Sequence, residues 1–554
     1  MKWGNSLRPI RFACAVGLGV LALAGARAPA QTIPEPAALE RTIPQDVRQT
    51  TASPTIRGPL GAPSPRSRTT KRFTLGAVDI QGAKVFSRED LSQYFEPLLA
   101  SEVDGAKLAE LAGHITQRYR QSGYLLSYAS VPSQNVQAGV VSLAVIEGKI
   151  DRLAIEGAGT DRSAVEAIAA PLIADSPLRA ATLERAIGLL RDFPGLRVMD
   201  IALTRTDTEA GLYGLQIRVA PNRVRGFSYV DNRGADSAAR MRFYSSASLS
   251  SLAVAGDEFR VDLFTMPGRS FRYVYGHIVG SVPLGRNGLR LRLEASKGDQ
   301  YLRGDQRFDG NSRNVSALLS YPFRRERALT LVGKASLNDW RSWADEGGAP
   351  KLRDRLRIAR VGLEFSTERR TRLQGEIWLA QGLGFDGMTK AGDPLASRPD
   401  ASGRFTKAEF ALRVTQPIDG KVRLQGSLAG QYSTRSLLSV EEFALGGSRI
   451  GRAFDFNEIT GDHGIGGAME LAYRLDDGKG RIKNIELFAY ADGGATFRKH
   501  ERPGLPDKQW LAGAGVGGRL SIGGMILSGE VGVPIARSHA DRDVRAFVSI
   551  ARAF

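Results

Sequence analysis

The sequence predicts two small α+β modules followed by a 16-stranded antiparallel transmembrane β-barrel, all of it exported. Three observations carry this reading. An export signal opens the chain; no later stretch is long and apolar enough to cross a bilayer as a helix; and residues 223–554 alternate apolar with polar side chains without a linker. A barrel strand is apolar only at every second position, so a membrane barrel shows no long hydropathic run. The 63 glycines among 554 residues suit the same architecture.

At the N-terminus, Lys2, Arg8 and Arg11 precede an apolar core from Phe12 to Leu23, and small residues follow at Ala26-Arg27-Ala28 and Ala28-Pro29-Ala30. That order is a secretory signal peptide, residues 1–30, with cleavage near Ala30. Its apolar core is shorter than the about twenty residues a spanning helix needs. Cys14, the only cysteine, lies inside the signal. The mature chain therefore has no disulfide and no thiol to hold a metal, which argues against a small stapled fold. Residues 31–71 are rich in Pro, Ser, Thr and Ala and read as a mostly disordered linker. Whether residues 37–49 form a short helix that plugs a pore stays open at this level.

The formal net charge is +18. Such a balance would point to nucleic acid in a cytoplasmic chain. For an exported chain, anionic outer-membrane lipid, an arginine-lined lumen or an acidic passenger are the expected counterparts, and no nucleic acid.

Residues 72–148 and 149–222 share one pattern. In the first, Phe73 to Gln81 reads as a strand, and Ser87 to Leu99 as a helix with Ser87 as N-cap and Asp90 three residues on. Asp104 to Gln121 reads as a second helix with Leu108, Leu111, Ala112, Ile115 and Tyr119 on one face, ended by Gly123. Strands at Tyr124 to Val131 and Val140 to Glu147 complete the unit. The second unit repeats the order, with a strand at Ile150 to Glu156, helices at Arg162 to Ile173 and Ala180 to Phe193, and strands at Val198 to Thr206 and Tyr213 to Val219. A β-α-α-β-β unit occurring twice resembles the POTRA domain, although two generic α+β modules would share its periodicity.

Beyond Asn222, Phe259, Val261 and Leu263 alternate with Glu258, Arg260 and Asp262; Leu289, Leu291 and Leu293 alternate with Arg290, Arg292 and Glu294. Thr406, Ala408, Phe410, Leu412 and Val414 alternate with Lys407, Glu409 and Arg413, and Met469, Leu471 and Tyr473 with Glu470 and Arg474. A period of two puts each set on opposite faces of a strand. About sixteen strands at roughly twenty residues each, connection included, fill the segment and give the even number a barrel closes with. At the end, Val544, Ala546, Val548, Ile550 and Phe554 form an apolar stripe broken by Arg552. A terminal aromatic on such a stripe resembles the assembly signal of bacterial outer-membrane proteins, which implies the barrel assembly machinery as a partner during biogenesis.

The most informative stretch is the long loop 434–465. It runs through Glu441-Glu442-Phe443-Ala444-Leu445-Gly446-Gly447-Ser448-Arg449-Ile450-Gly451-Arg452-Ala453-Phe454 to Gly461-Asp462-His463-Gly464. Long loops in compact proteins are usually functional. With the strand Tyr490-Ala491-Asp492-Gly493-Gly494, this layout resembles the TpsB transporters of two-partner secretion, the hemolysin-activator type, within the BamA-like superfamily. Also in register are Arg118-Tyr119, Gly123-Tyr124, Val131-Pro132-Ser133-Gln134, Glu147-Gly148-Lys149-Ile150 and Asp231-Asn232-Arg233-Gly234. The resemblance covers nearly the whole mature chain.

The resemblance implies that the loop folds back into the barrel with a Val-Arg-Gly-Tyr tip, matched here by Gly451, Arg452, Ala453 and Phe454. Only the arginine is identical, and Ala453 replaces a glycine whose backbone freedom an alanine lacks. It also implies a Phe-x-Asp-x-Gly pattern on the thirteenth strand, matched by Tyr490, Asp492 and Gly494. Alternation with Ile485, Leu487, Ala489 and Ala491 puts Asp492 in the lumen. A lumen carboxylate wants a cation, and Arg452 is the expected bidentate partner.

The implied activity is capture of an unfolded exoprotein in the periplasm, by strand addition to a module's edge, and its secretion through a loop-gated barrel. The alternative is an outer-membrane protein insertase of the same superfamily. An enzyme is disfavoured: His114, His277, His463, His500 and His539 show no metal-ligand spacing, and neither His-Glu-x-x-His nor Gly-x-Ser-x-Gly occurs. No cofactor, metal or catalytic residue is expected. A passive porin would not need two periplasmic modules.

Overall fold

The structure, a computed structural model, describes residues 56–58, 72–136, 138–234, 239–303, 307–475, 480, 482–500, 506–537 and 543–554. The signal peptide expected at 1–30 and the helix considered at 37–49 lie outside the described residues.

In the first module, β2 (Phe73–Thr74) pairs with β4 (Glu102–Val103), and β3 (Ala77–Gln81) runs parallel to β6 (Val140–Ile146). β5 (Tyr128–Ser130) joins β6 antiparallel. Helix α1 (Arg88–Phe95) starts at a capping box in which Ser87 and Asp90 satisfy each other's amides. Helix α2 (Gly105–Gln121) is capped by Asp104 and buries the predicted face, with Leu111, Ala112, Ile115 and Tyr119 almost wholly covered. The strand expected from Tyr124 begins only at Tyr128, because a turn from Ser127 N–H to the Tyr124 carbonyl occupies the intervening residues.

The matched motif residues of this module are structural. Glu147 accepts the Tyr119 hydroxyl and the Lys84 and Val85 amides, each at 2.8 Å. Burial, and then that hydrogen bond to a carboxylate, push the Tyr119 hydroxyl well above the usual tyrosine range, so it stays a donor. Gly148 lies where a Cβ would come within 2.5 Å of Leu126, so only glycine fits that crossing.

The second module repeats the topology. β7 (Lys149–Glu156) is parallel to β9 (Leu212–Asn222), and β8 (Gly195–Asp207) joins β9 antiparallel. The single helix expected over 162–173 is two, α3 (Arg162–Ala169) and α4 (Pro171–Ala174), because Pro171 has no N–H to continue the ladder. Helix α5 (Ala180–Arg191) completes the core through Leu183, Ala186, Ile187 and Leu190. One stretch of the linker is not irregular: β1 (Ile56–Arg57) adds in parallel to the free edge of β8, opposite Ile201 and Ala202. At Gly58, with φ +129°, a Cβ would meet the Leu203 carbonyl oxygen at 2.0 Å.

The rest is a closed barrel. Its first strands are β10 (Val224–Asp231), β11 (Arg242–Ser250), β12 (Glu258–Pro267) and β13 (Phe271–Pro283). Next come β14 (Arg290–Leu302), β15 (Phe308–Arg325), β16 (Thr330–Glu346) and β17 (Ala349–Ser366). β18 (Arg372–Gly382), β19 (Thr406–Pro417) and β20 (Val422–Ser433) lead to the long loop, which carries β21 (Phe443–Leu445) and β22 (Ile459–Gly461). β23 (His463–Arg474), β24 (Ile482–Phe497), β25 (Lys508–Ile522), β26 (Met525–Arg537) and β27 (Arg545–Ala553) return the sheet to β10. Leaving out the loop pair gives sixteen antiparallel strands, as predicted.

Alternation sorts the barrel wall. Leu263, Leu293, Val315, Leu337, Met469 and Val548 are exposed on the outside, whereas Asp262, Glu470, Asp492 and Glu530 are buried in the lumen. Helix α5 meets the ends of β15 through Arg185, which donates to the Pro322 carbonyl at 2.8 Å, and through the neighbouring Asp192, which receives both guanidinium arms of Arg325. This face of the barrel is therefore the one that carries the modules. The opposite rim carries the long loop.

Candidate functional site

The long loop enters the lumen as a hairpin. β21 and β22 pair antiparallel, Phe443 opposite Gly461, and the turn is drawn tight by Gly446 N–H to the Ile450 carbonyl at 3.0 Å. Gly446, Gly447 and Gly451 all have positive φ, at 109°, 102° and 83°, so the tip's sharp bends rest on glycine. Leu445, Ile450, Ala453, Phe454 and Ile459 form a buried cluster with Leu511 of the wall. Phe456 reaches the other side and packs in a cluster with Phe264, Met266, Phe271 and Tyr273. The hairpin thus spans the lumen from β24–β26 to β12–β13.

The wall receives the tip on glycines. A Cβ on Gly466 would lie 2.6 Å from Leu445, one on Gly494 2.7 Å from Leu445, and one on Gly513 3.0 Å from the Ala453 methyl. Gly515 and Gly532 stand equally close to the Tyr490 ring and hydroxyl. These glycines remove side chains that would otherwise fill the space the loop occupies.

Electrostatics at the tip differ from the expected pairing. Arg452 and Asp492 meet, but through the backbone: the Arg452 amide donates to Asp492 Oδ2 at 2.9 Å. The guanidinium points elsewhere. Nη1 donates to Glu470 at 2.8 Å, Nη2 pairs with Glu530, and the group stacks 3.8 Å from the centre of the Tyr490 ring. The bidentate Arg452–Asp492 bridge is therefore corrected to an arginine shared by Glu470 and Glu530. Arg452 thus holds β24 with its backbone and β23 and β26 with its guanidinium. The departure at Ala453 is also accommodated. Ala453 is not among the described residues with positive φ, and its methyl is fully buried against Gly513 and Gly532.

Four charged residues complete the site, of which Glu530 and Arg519 carried no mark in the sequence. Glu530 on β26 also pairs with Arg233, whose Nη1 donates to the Arg452 carbonyl at 3.2 Å and which stacks 4.0 Å from the centre of the Phe547 ring. Glu470 receives Arg519 at 2.6 Å as well. Nearby, Asp231 receives Arg242 through two bonds of 2.6–2.7 Å, and Asn232 bridges to β27 by donating to the Ala546 carbonyl and accepting from Val548 N–H. The matched Asp231-Asn232-Arg233 motif therefore joins the first strand, the last strand and the loop tip. Phe554 closes the same seam: its N–H and carbonyl pair with Gly226, and its ring covers that glycine.

At the outer rim, Arg398 is wholly buried and pairs with Asp400 at 2.8 Å, Glu442 at 2.7 Å and Asp462 at 2.6 Å. Asp462 also accepts the amides of Leu437 and Lys499. The connection between β18 and β19 is thereby locked onto both legs of the hairpin. Alternation could have flagged Glu470; nothing in the spacing marked Arg398, which sits in a loop. Among the described residues no cluster of His, Cys, Asp or Glu suits a metal ion.

The chain matches the family described as haemolysin secretion/activation protein ShlB/FhaC/HecB over residues 215–520, and the ShlB-type POTRA domain over residues 73–148. The outer membrane transporter CdiB of Dickeya dadantii (strain 3937) is 22% identical over 466 residues, covering 80% of each chain. The hemolysin transporter protein HpmB of Proteus mirabilis is 24% identical over 427 residues, 72% of each. In structure, CdiB from Escherichia coli superposes with a TM-score of 0.73 at 20% identity, over 94% of this chain and 95% of that one. CdiB from Acinetobacter baumannii gives 0.63 at 16% identity, over 93% and 95%.

Proposed function

The chain belongs to the ShlB/FhaC/HecB haemolysin secretion/activation family, and from that premise we propose that it captures one unfolded partner exoprotein in the periplasm and secretes it through its own barrel. In this reading residues 1–30 are removed on export, 31–71 link, 72–148 and 149–222 are the two POTRA modules, and 223–554 form the barrel. Residues 434–465 are the gate. The observation that supports it most is the hairpin: the lumen is filled by a segment of the chain that is held by ion pairs and seated on glycines. Ion pairs can be exchanged for water or for a passenger's own groups without unfolding the wall.

The work assigned to the site is vectorial. Gly451, Arg452, Ala453 and Phe454 hold the closed position, and Tyr490, Asp492 and Gly494 receive them. Phe554 is the signal read by the barrel assembly machinery, and lipid surrounds the wall. The relative named as a hemolysin transporter suggests a secreted protein as passenger. Capture proceeds by strand addition to a module edge.

Deleting the gene tests the reading. Loss of one exported protein from the medium, with outer-membrane barrels at normal abundance, is expected. Loss of many barrel proteins instead would favour the insertase.

A further inference from the structure

Outside the pore, the wall carries an arrangement that secretion does not use. Lys297 lies directly opposite Arg313, Arg313 opposite Arg341, and Arg341 opposite Arg355, so four neighbouring strands, β14 to β17, present one unbroken row of cations. All four side chains are exposed, and they share the face of Leu293, Val315, Leu337 and Val361, which point to lipid. Like charges directly opposite on a sheet repel. The row is flanked by Arg357, and among the described residues two carboxylates answer these five cations: Asp299, 2.9 Å from Lys297, and Asp339, shared by Arg341 at 3.0 Å and Arg357 at 2.8 Å. Arg313 stacks 5.0 Å from the centre of the Trp343 ring, and Arg355 has no ion pair among the described residues. The row stops at both flanks: Gly276 lies opposite Lys297 on β13, and β18 ends at Gly382, opposite Ile358, without reaching Arg355.

Its height is that of a membrane boundary. On β15 the outward positions below Arg313 are Val315, Ala317, Leu319, Tyr321 and Phe323. Ten residues at roughly 3.3 Å each, tilted about 45°, span about 23 Å, close to the roughly 25 Å apolar band of an outer-membrane barrel. Phe323 is at the module-bearing end, so the cations stand at the outer leaflet. Directly beneath them an apolar groove of about 680 Å³ is lined by Ile278, Leu293, Val315, Leu337 and Phe385, with Arg357 at its rim.

We propose that this face binds a phosphorylated glycolipid of the outer leaflet, its phosphates on the Lys297–Arg313–Arg341–Arg355 row and its acyl chains in the groove below. Arginine's planar fork suits phosphate oxygens, and an anion relieves the repulsion within the row. The proposal rests on the outer-membrane orientation of the reading above, but not on the passenger or the gate.

The test uses the full mature chain in phosphatidylcholine vesicles carrying bisphosphorylated lipid A, lipid A stripped of its phosphates, or no glycolipid with free inorganic phosphate. Bound glycolipid is titrated by fluorescence for the wild type, for Arg313→Gln/Arg341→Gln/Arg355→Gln, and for Lys508→Gln, an exposed cation on β25. Saturable binding of the phosphorylated form is expected, and the triple variant should bind on the order of a hundred-fold more weakly, with Lys508→Gln unchanged. Heat-modified electrophoretic mobility keeps a folding defect distinct. Equal binding of the stripped lipid, inorganic phosphate binding as well as the lipid, or an unchanged triple variant with a folded barrel would overturn the proposal. Secretion is scored in parallel, so either conclusion can fail alone.

Discussion

The main-chain amide of Arg452 donates to Asp492 at 2.9 Å, while the guanidinium of the same residue is held by Glu470 and Glu530. The two halves of one residue thus bind three strands of the wall. The tip is anchored by its backbone and braced by its charge, and the two contributions separate by mutation.

Glu530→Gln removes the carboxylate that Arg452 and Arg233 share. Arg452→Ala removes both ion pairs of the tip, while Glu470 keeps Arg519 and Glu530 keeps Arg233. Losing such a charge-assisted contact costs roughly 1.5–3 kcal/mol. Either variant should expose the hairpin to added protease and raise conductance in planar bilayers. Asp492→Asn should be far milder, because its amide oxygen still accepts the Arg452 N–H, a loss of about 1 kcal/mol. The swap Arg452→Asp with Asp492→Arg should not restore the closed state. Full restoration would show that the side chains pair directly.

The glycine bed makes a steric prediction. A Cβ at Gly513 already sits 3.0 Å from Ala453, so Gly513→Val overpacks the seat, at a cost of about 1–3 kcal/mol, and should dislodge the tip. Ala453→Gly, by contrast, gains no backbone freedom that the tip uses and only removes a buried methyl. Conductance of the two variants should therefore move in one case and stay near wild type in the other.

Arg398 makes a chemical one. Its three carboxylate partners need a planar fork, so Arg398→Lys should fail almost as badly as Arg398→Ala. Surface protease nicking between β18 and β19 on intact cells is the readout. A lysine variant as resistant as wild type would mean that charge alone holds the rim.

At the periplasmic side, β1 occupies the β8 edge that a passenger strand could use. Cys14 is the one cysteine of the sequence, so with Cys14 absent or replaced, Arg57→Cys with Ala202→Cys, opposite each other in register, can be oxidised cleanly. Oxidation should lower binding of an unfolded passenger to the modules, and reduction should restore it. Unchanged binding would assign capture to another edge.

Much of this was legible in the sequence because it rests on periodicity. Leu108, Leu111 and Ile115 declare a buried helix face, and Met469, Leu471 and Tyr473 place Glu470 inside the wall by alternation alone. Ser87 and Asp90 fix a helix start through local chemistry. What was not legible depends on contacts across the lumen. Arg452 had a lumen carboxylate at a plausible position in Asp492, yet its guanidinium goes to Glu470 and Glu530 on two other strands. Glu530 and Arg233 lie 297 residues apart, and no local pattern joins them. The cation row is similar: Lys297, Arg313, Arg341 and Arg355 look unremarkable one by one, and only strand register brings them into line.

The central claim is that the passenger crosses where the hairpin now lies, so the hairpin must leave its seat. Phe456→Cys and Met266→Cys, in one buried cluster on the wall opposite the anchored tip, allow a short cleavable thiol crosslink that ties loop to wall. With the tie in place, secretion of the partner exoprotein by cells should stop, and cleaving the crosslink should restore it. Secretion at the wild-type rate with the hairpin tied would contradict the account.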